Sequence, residues 1–136
     1  MNNTDLNGRL ILEAQMIMGE AKRAFDSEAW NLAVRRSQEV VELSLKGLLK
    51  LMGVETPKIH DVGDTFAKIC TKKKIAIESE KLTEIQRISQ QLARDRAPAF
   101  YMEKEYTREQ ANQALQSAGT VLTEAEELSQ RLMVIR

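Results

Sequence analysis

Cysteine and histidine are almost absent from this sequence of 136 residues, which contains one of each. Because Cys70 is the only cysteine, the chain can form neither an internal disulfide nor a thiolate metal site. The first ten residues lack a basic region followed by an apolar run. No stretch approaches the roughly 20 apolar residues of a membrane-spanning helix. We therefore predict a cytoplasmic protein that does not associate with membranes.

The sequence also lacks the local motifs of common enzymes and an excess of charge of either sign. It has no glycine-rich phosphate loop, no HExxH, no serine-centred elbow and no carboxylate pair at metal-ligand spacing, so we predict neither a metal nor a cofactor. Twenty Lys and Arg residues balance twenty Asp and Glu residues. The whole molecule therefore has no electrostatic attraction to nucleic acid, and such binding requires a local patch.

Apolar residues recur at intervals of three and four along most of the chain, which is typical of α-helices with one buried face. The alternation expected of half-buried strands is absent. We predict an all-α fold, a five-helix up-and-down bundle in which a short helix joins a four-helix core, and a single domain over residues 1–136. The first two predicted helices cover about residues 6–25 and 27–52, and a third, shorter helix begins near residue 60. The fourth runs from residue 79 to before Pro98, and the fifth begins at residue 107.

Small polar residues and glycine mark the predicted ends of these helices. Gly53 occupies a position where a left-handed C-cap favours glycine. Thr107 and Gln110 have the spacing of a capping box. Pro98 cannot sit inside a helix without removing a hydrogen bond, so we predict that the fourth helix ends before it. Further N-cap side chains are predicted at Asp26 or Ser27 and at Ser79.

The second predicted helix and the loop after it contain a longer pattern of particular residues. It reads Trp30-x-x-Ala33, then Arg36-Ser37-Gln38-Glu39-Val40-Val41-Glu42, then Leu45-Lys46-Gly47-Leu48-Leu49, followed by Pro57 and His60-Asp61-Val62. This pattern resembles the HEPN family, a prokaryotic helical domain. The segment from Arg96 to Tyr101 and the alanine-rich last helix resemble the C-terminal half of the family more loosely.

The resemblance implies a helical bundle that forms homodimers and works beside a small nucleotidyltransferase, or that contacts RNA or a nucleotide. Many members are metal-independent endoribonucleases, and some act in toxin-antitoxin systems. Met16 and Met18 flank the inner stripe of the first predicted helix, where flexible thioethers suit a subunit contact. This is a second, weaker indication of a dimer.

The nuclease members carry an arginine followed, after four to six residues, by a histidine. The corresponding arginines here are Arg94 and Arg96, but Tyr101 stands where the histidine belongs. An unperturbed histidine titrates near ~6.5 and a tyrosine near ~10, so tyrosine is a poor base at neutral pH. Arginine still binds phosphate through two hydrogen bonds. We therefore predict ligand binding by Arg94, Arg96 and Tyr101, together with Arg36 and Lys46, without strong catalysis.

Three hypotheses for function stay open. The first is a HEPN-like binding module for RNA, a nucleotide or a partner protein. The second is an endoribonuclease toxin in which Arg96 stabilises the phosphorane charge and Tyr101, with His60, transfers protons. The third is a structural partner that covers a nucleotidyltransferase. Candidate site residues also have ordinary structural explanations. Glu42 and Lys46 form an i,i+4 pair, and arginines near a helix C-terminus, such as Arg94 and Arg96, complement its dipole.

Overall fold

A computed structural model describes residues 8–134, and within this range the chain forms five α-helices and no strand. The helices are α1 (Arg9–Asp26), α2 (Trp30–Leu51), α3 (Gly63–Lys72), α4 (Ser79–Phe100) and α5 (Arg108–Val134). They confirm the predicted all-α bundle with one short helix. The predicted start of the first helix at residue 6 lies outside the described residues. None of these helices has both the length and the hydropathy to cross a bilayer.

Helix α2 is the centre of the bundle because it contacts all four of the other helices. Its broad apolar face accounts for this position. The fully buried side chains on this face include Val34, Val40, Val41, Leu45, Leu48 and Leu49. The buried residues of α1 are mainly alanines, and α5 adds alanines beside Val121, Leu122 and Leu128. Small side chains allow helices to approach closely. Glu39, Glu42 and Lys46 of α2 are only partly buried, which leaves part of the central helix open to solvent.

Two of the predicted helix ends are confirmed. Gly53 adopts φ +75°, the left-handed conformation expected after a helix. The Thr107 amide donates to Gln110 Oε1 at 2.9 Å, and the Gln110 amide donates to Thr107 Oγ1 at 3.2 Å. These reciprocal bonds form the predicted capping box at the start of α5.

The predicted end of the fourth helix is wrong, because α4 continues through Pro98 to Phe100. The proline lies in the last turn, where its missing N–H removes one backbone hydrogen bond from the helix. The next bonds form normally, since the Tyr101 amide donates to the Ala97 carbonyl at 2.9 Å. Asn31 of α2 also donates to the Ala99 carbonyl, so tertiary contacts hold this last turn.

Several smaller predictions are corrected as well. The third helix begins at Gly63 and not near residue 60, and Ser79 is the first residue of α4 and not its cap. Ser27 follows the end of α1, and the N-cap of α2 is Ala29. Met16 is exposed as expected, but Met18 is buried in the core. The helix ends shift by three residues or fewer, because terminal turns depend on few local contacts. Met18 is buried because it lies on the same face of α1 as Ile11, Ala14 and Ala21.

The buried thiol and phenol of the chain take part in packing. Burial raises the pKa of the Cys70 thiol to about 11, so the thiol stays protonated at neutral pH. Burial also raises the pKa of Tyr106, as does its hydrogen bond to Asp95 Oδ1 at 2.9 Å. Tyr106 therefore anchors the α4–α5 connection to the bundle.

Candidate functional site

A cleft of about 410 Å³ runs along the open part of α2, between α1 and the C-terminal half of α4. We term it the α1–α2–α4 cleft. On α2, residues three or four positions apart lie on one side of the helix and supply most of the floor. The lining residues are Ile17 and Glu20 from α1, Arg36, Glu39, Glu42 and Leu43 from α2, His60 from the α2–α3 loop, and Arg96 from α4.

Two arginines from different helices share one carboxylate in this cleft. Arg36 Nη1 lies 2.8 Å from Glu39 Oε1, and Arg96 Nη1 lies 3.6 Å from Glu39 Oε2. Arg36 Nε also lies 3.1 Å from Glu20 Oε1 on α1. The side chains of Arg36 and Arg96 are 29% and 32% exposed, so both guanidinium groups are accessible from solvent.

The buried amide of Gln38 connects Arg96 to the other half of the cleft. Gln38 is 1% exposed, and its Oε1 accepts a hydrogen bond of 2.8 Å from Arg96 Nη1. Its Nε2 donates to Glu42 Oε1 at 3.0 Å. Since both ends of the amide have partners, the arginine on α4 is held in a defined position relative to α2.

Glu42 collects three hydrogen bonds. Besides the bond from Gln38, its carboxylate accepts from Lys46 Nζ and lies beside His60 Nδ1, each at 2.8 Å. Burial on its own would raise the pKa of the Glu42 carboxyl group. The hydrogen bonds from Gln38, Lys46 and His60, together with the charge of Lys46, outweigh burial and leave the pKa below its ordinary value. Glu42 is therefore ionised at neutral pH and orients both basic side chains.

This lowered pKa predicts a change in the pH dependence of stability. A carboxyl group with a depressed folded-state pKa stabilises the fold above its unfolded value, near ~4.3, and this contribution is lost as pH falls through the folded value. We expect Glu42→Gln to lower the free energy of unfolding by about 1–2 kcal/mol at pH 7. The difference from the unchanged protein should shrink below about pH 4. Urea denaturation between pH 7 and 3 measures this.

Glu84→Gln is the matched control, because Glu84 is exposed on the same bundle. The control should change stability by less than about 0.5 kcal/mol at any pH. A Glu42→Gln variant whose deficit stays constant down to pH 3 would show that the carboxylate charge is not the stabilising feature.

The loop that carries His60 is attached to α4 by a small polar network. Asp61 Oδ1 accepts from Ser89 Oγ at 2.7 Å, and the Gly63 amide donates to Ser89 Oγ at 3.1 Å. A Cβ atom at Gly63 would lie 2.9 Å from Ser89 Cβ and 3.0 Å from Gln86 Cα, so only glycine allows this approach. The contact fixes the start of α3 and, with it, the position of His60.

The structure brings together some of the residues predicted for the site and separates others. Arg36, Arg96 and His60 line the cleft, and Lys46 joins it through Glu42. Arg94 does not line the cleft. It lies two residues before Arg96, a rotation of about 200° around the helix, so the two side chains are on nearly opposite sides of α4. Tyr101 is also outside the lining. It follows the last turn of α4, is 69% exposed and packs edge to face on Phe100. Ligand binding by these two residues stays a prediction.

Reasoning from the sequence did not predict Glu20, Glu39 or the buried amide of Gln38 as site residues. Glu20 is not distinguishable from an ordinary surface glutamate in the sequence, and Gln38 and Glu39 appear there only as members of the family pattern. Gln38 carried a usable signal, since it lies between Val34 and Val41 on the apolar face of α2. A glutamine at such a position must find hydrogen-bond partners, and here its amide oxygen accepts from Arg96.

The fold and the cleft define a helical bundle domain in which two arginines from separate helices and a histidine share one surface cleft. The chain belongs to the HEPN domain family, whose model matches residues 8–128. A search of curated proteins found no significant match. Among solved structures, the chain is similar to an archaeal HEPN homologue with a TM-score of 0.69 and 20% identity. That similarity covers 90% of this chain and 97% of the homologue.

Proposed function

We propose that this HEPN domain is a binding module that holds an anionic ligand, RNA or a nucleotide, in the α1–α2–α4 cleft. The observation that carries the proposal is the convergence of Arg36 and Arg96 from two helices on one cleft. Guanidinium groups bind phosphate oxygens through paired hydrogen bonds, and a planar group held at a fixed position loses little entropy on binding. Catalysis is weak in this proposal because Tyr101 replaces the family's motif histidine.

The dimensions of the cleft also suit such a ligand. Its volume of about 410 Å³ lies within the range of roughly 300–1,000 Å³ of small-molecule sites. Its polar groups come from three helices and one loop, while Ile17 and Leu43 supply an apolar surface. A phosphate group would contact the arginines, and an attached sugar or base would pack against these two side chains.

Fluorescence anisotropy with a labelled single-stranded RNA tests the proposal. We expect Arg96→Gln to weaken binding about tenfold at low salt, since a charge-assisted hydrogen bond contributes about 1.5 kcal/mol. Arg94→Gln is the matched control, because Arg94 carries the same charge on the same helix but lies outside the cleft lining. Binding of the unchanged protein should weaken as salt increases.

Equal losses in the two variants would show that binding is not confined to the cleft, and unchanged binding by Arg96→Gln would remove the cleft from consideration. Thermal unfolding of each variant is measured in parallel, because Arg96 also bonds to Gln38.

A homodimer and a nucleotidyltransferase partner remain part of the proposal on the strength of family membership. Leu12 and Met16 support the presence of a protein partner, because these apolar side chains lie one turn apart on α1 and are exposed. A second protein chain would cover them. Light scattering on the purified protein gives the mass, and a monomeric mass would contradict the homodimer.

One observation favours endoribonuclease activity as a second candidate function. His60, the single histidine, lines the same cleft as Arg96, whereas Tyr101 does not. A neutral His60 that donates from Nδ1 to Glu42 keeps Nε2 as a proton acceptor, which is the arrangement of a general base. The same labelled RNA is run on a denaturing gel after incubation. Cleavage that is lost in His60→Asn would establish this activity. If the RNA stays intact, the binding module without nuclease activity remains as the candidate function.

A further inference from the structure

We infer that the α1–α2–α4 cleft selects a terminal phosphate group over the phosphodiesters of a nucleic-acid backbone, and that Glu39 enforces this selection. The inference rests on the proposed function, because it names the chemical group that the same cleft would bind. A phosphate monoester carries a charge of about −1.5 to −2 at pH 7 and has three terminal oxygens. A phosphodiester carries a single charge and has two such oxygens.

The charge balance of the cleft is the first observation in support. Two arginines, Arg36 and Arg96, face three glutamates, Glu20, Glu39 and Glu42, so the lining side chains sum to one negative charge when His60 is neutral. Lys46, which pairs with Glu42, brings the sum to zero. Proteins that track a nucleic-acid backbone present a clearly basic groove. The net charge of this cleft therefore attracts no anion from a distance, and binding must come from direct contacts with the two guanidinium groups.

The position of Glu39 is the second observation. Its two carboxylate oxygens contact different guanidinium groups, Oε1 that of Arg36 and Oε2 that of Arg96. A phosphate placed between the two arginines would use the same contacts. Glu39 therefore occupies the position of the ligand, and its side chain is 24% exposed, so the carboxylate can turn towards solvent when it is displaced.

Because a ligand must displace the Glu39 carboxylate, the charge of the ligand determines how well it competes for the two arginines. A phosphodiester exchanges one negative charge for another and gains little attraction to the two guanidinium groups. A terminal phosphate brings nearly twice the charge, and its third oxygen can accept a further hydrogen bond. The attraction between charges scales with their product, so only the more highly charged group competes well with a resident carboxylate.

Two RNA oligonucleotides of the same sequence, labelled at the 3′ end, test the inference. One carries a 5′-phosphate and the other a 5′-hydroxyl group. We expect the unchanged protein to bind the phosphorylated oligonucleotide about tenfold more tightly at pH 7.5. Glu39→Gln should tighten binding of the 5′-hydroxyl oligonucleotide and reduce the ratio to about twofold, because neutral glutamine no longer competes for both arginines. Glu84→Gln removes one negative charge away from the cleft and should leave the ratio unchanged.

The outcomes separate this inference from the proposed function. The selection would be overturned if the unchanged protein bound both oligonucleotides equally. If Arg96→Gln still weakened RNA binding in that case, the proposed binding module would stand. Binding of neither oligonucleotide would contradict RNA as the ligand of the cleft and this inference with it. A ratio that Glu39→Gln and Glu84→Gln alter equally would overturn the role of Glu39.

Discussion

Replacing Phe66 with alanine is expected to lower the free energy of unfolding by about 3–5 kcal/mol, the usual cost of removing a buried aromatic ring. Phe66 is completely buried on α3. This helix has only ten residues and is joined to the bundle by Val62, Phe66 and Cys70, which are all buried. Short helices have little stability of their own and depend on such packing. The loss of the ring therefore weakens the attachment of the whole helix.

The effect of Phe66→Ala should extend to the cleft, because the loop with His60 leads directly into α3. We expect faster hydrogen exchange at the amides of residues 60–72 than in the unchanged protein. Urea denaturation followed by circular dichroism measures the stability. Ile59→Ala is the control, since Ile59 is 48% exposed and should contribute less than about 0.5 kcal/mol. A loss in Phe66→Ala below about 1 kcal/mol would mean that α3 is not held by this ring.

Replacing Asn31 with alanine should cost about 2–3 kcal/mol, because several backbone groups lose their partner at once. Asn31 Nδ2 donates to the carbonyl oxygens of Lys104 and Ala99 at 2.8 and 3.2 Å. Its Oδ1 accepts from the amide of Tyr106 at 2.9 Å. One side chain on α2 thus holds both the last turn of α4 and the connection to α5. The amide of the buried Tyr106 would be left without this partner.

Asn112→Ala is the matched control for Asn31→Ala, because Asn112 is exposed on α5 and the substitution is the same. Thermal unfolding compares the two variants, and hydrogen exchange at Tyr106 reports the local change. If both variants unfold at the same temperature, the hydrogen bonds of Asn31 are replaced by water at no cost, and the α4–α5 connection is held by Tyr106 packing alone.

Local sequence was sufficient to predict the helices of this protein. Apolar spacing identified five helices, the left-handed conformation at Gly53 was expected from its position, and the capping box of Thr107 and Gln110 formed as predicted. These features depend on residues within one or two turns of each other. The pattern around α2 was also sufficient to indicate the HEPN family, which the match over residues 8–128 shows.

The candidate site could be predicted only in part, because a sequence does not state which helices are neighbours. Arg94 and Arg96 are equivalent as sequence candidates, yet only Arg96 lines the cleft. Tyr101 and Tyr106 both fall between the predicted fourth and fifth helices, and the structure exposes the first and buries the second. Pro98 was expected to end a helix, but contacts from Asn31 support the turn beyond it.

The sequence by itself determined the helical class of this protein, its family and the broad apolar face of its central helix, because helix periodicity is a local property. Tertiary structure alone decided that Arg96 and His60, far apart in the chain, line one cleft with Arg36. It also placed the carboxylate of Glu39 between the two arginines. Ion pairs and hydrogen bonds need separations of about 3 Å, and only the packing of α1, α2 and α4 brings these atoms so close.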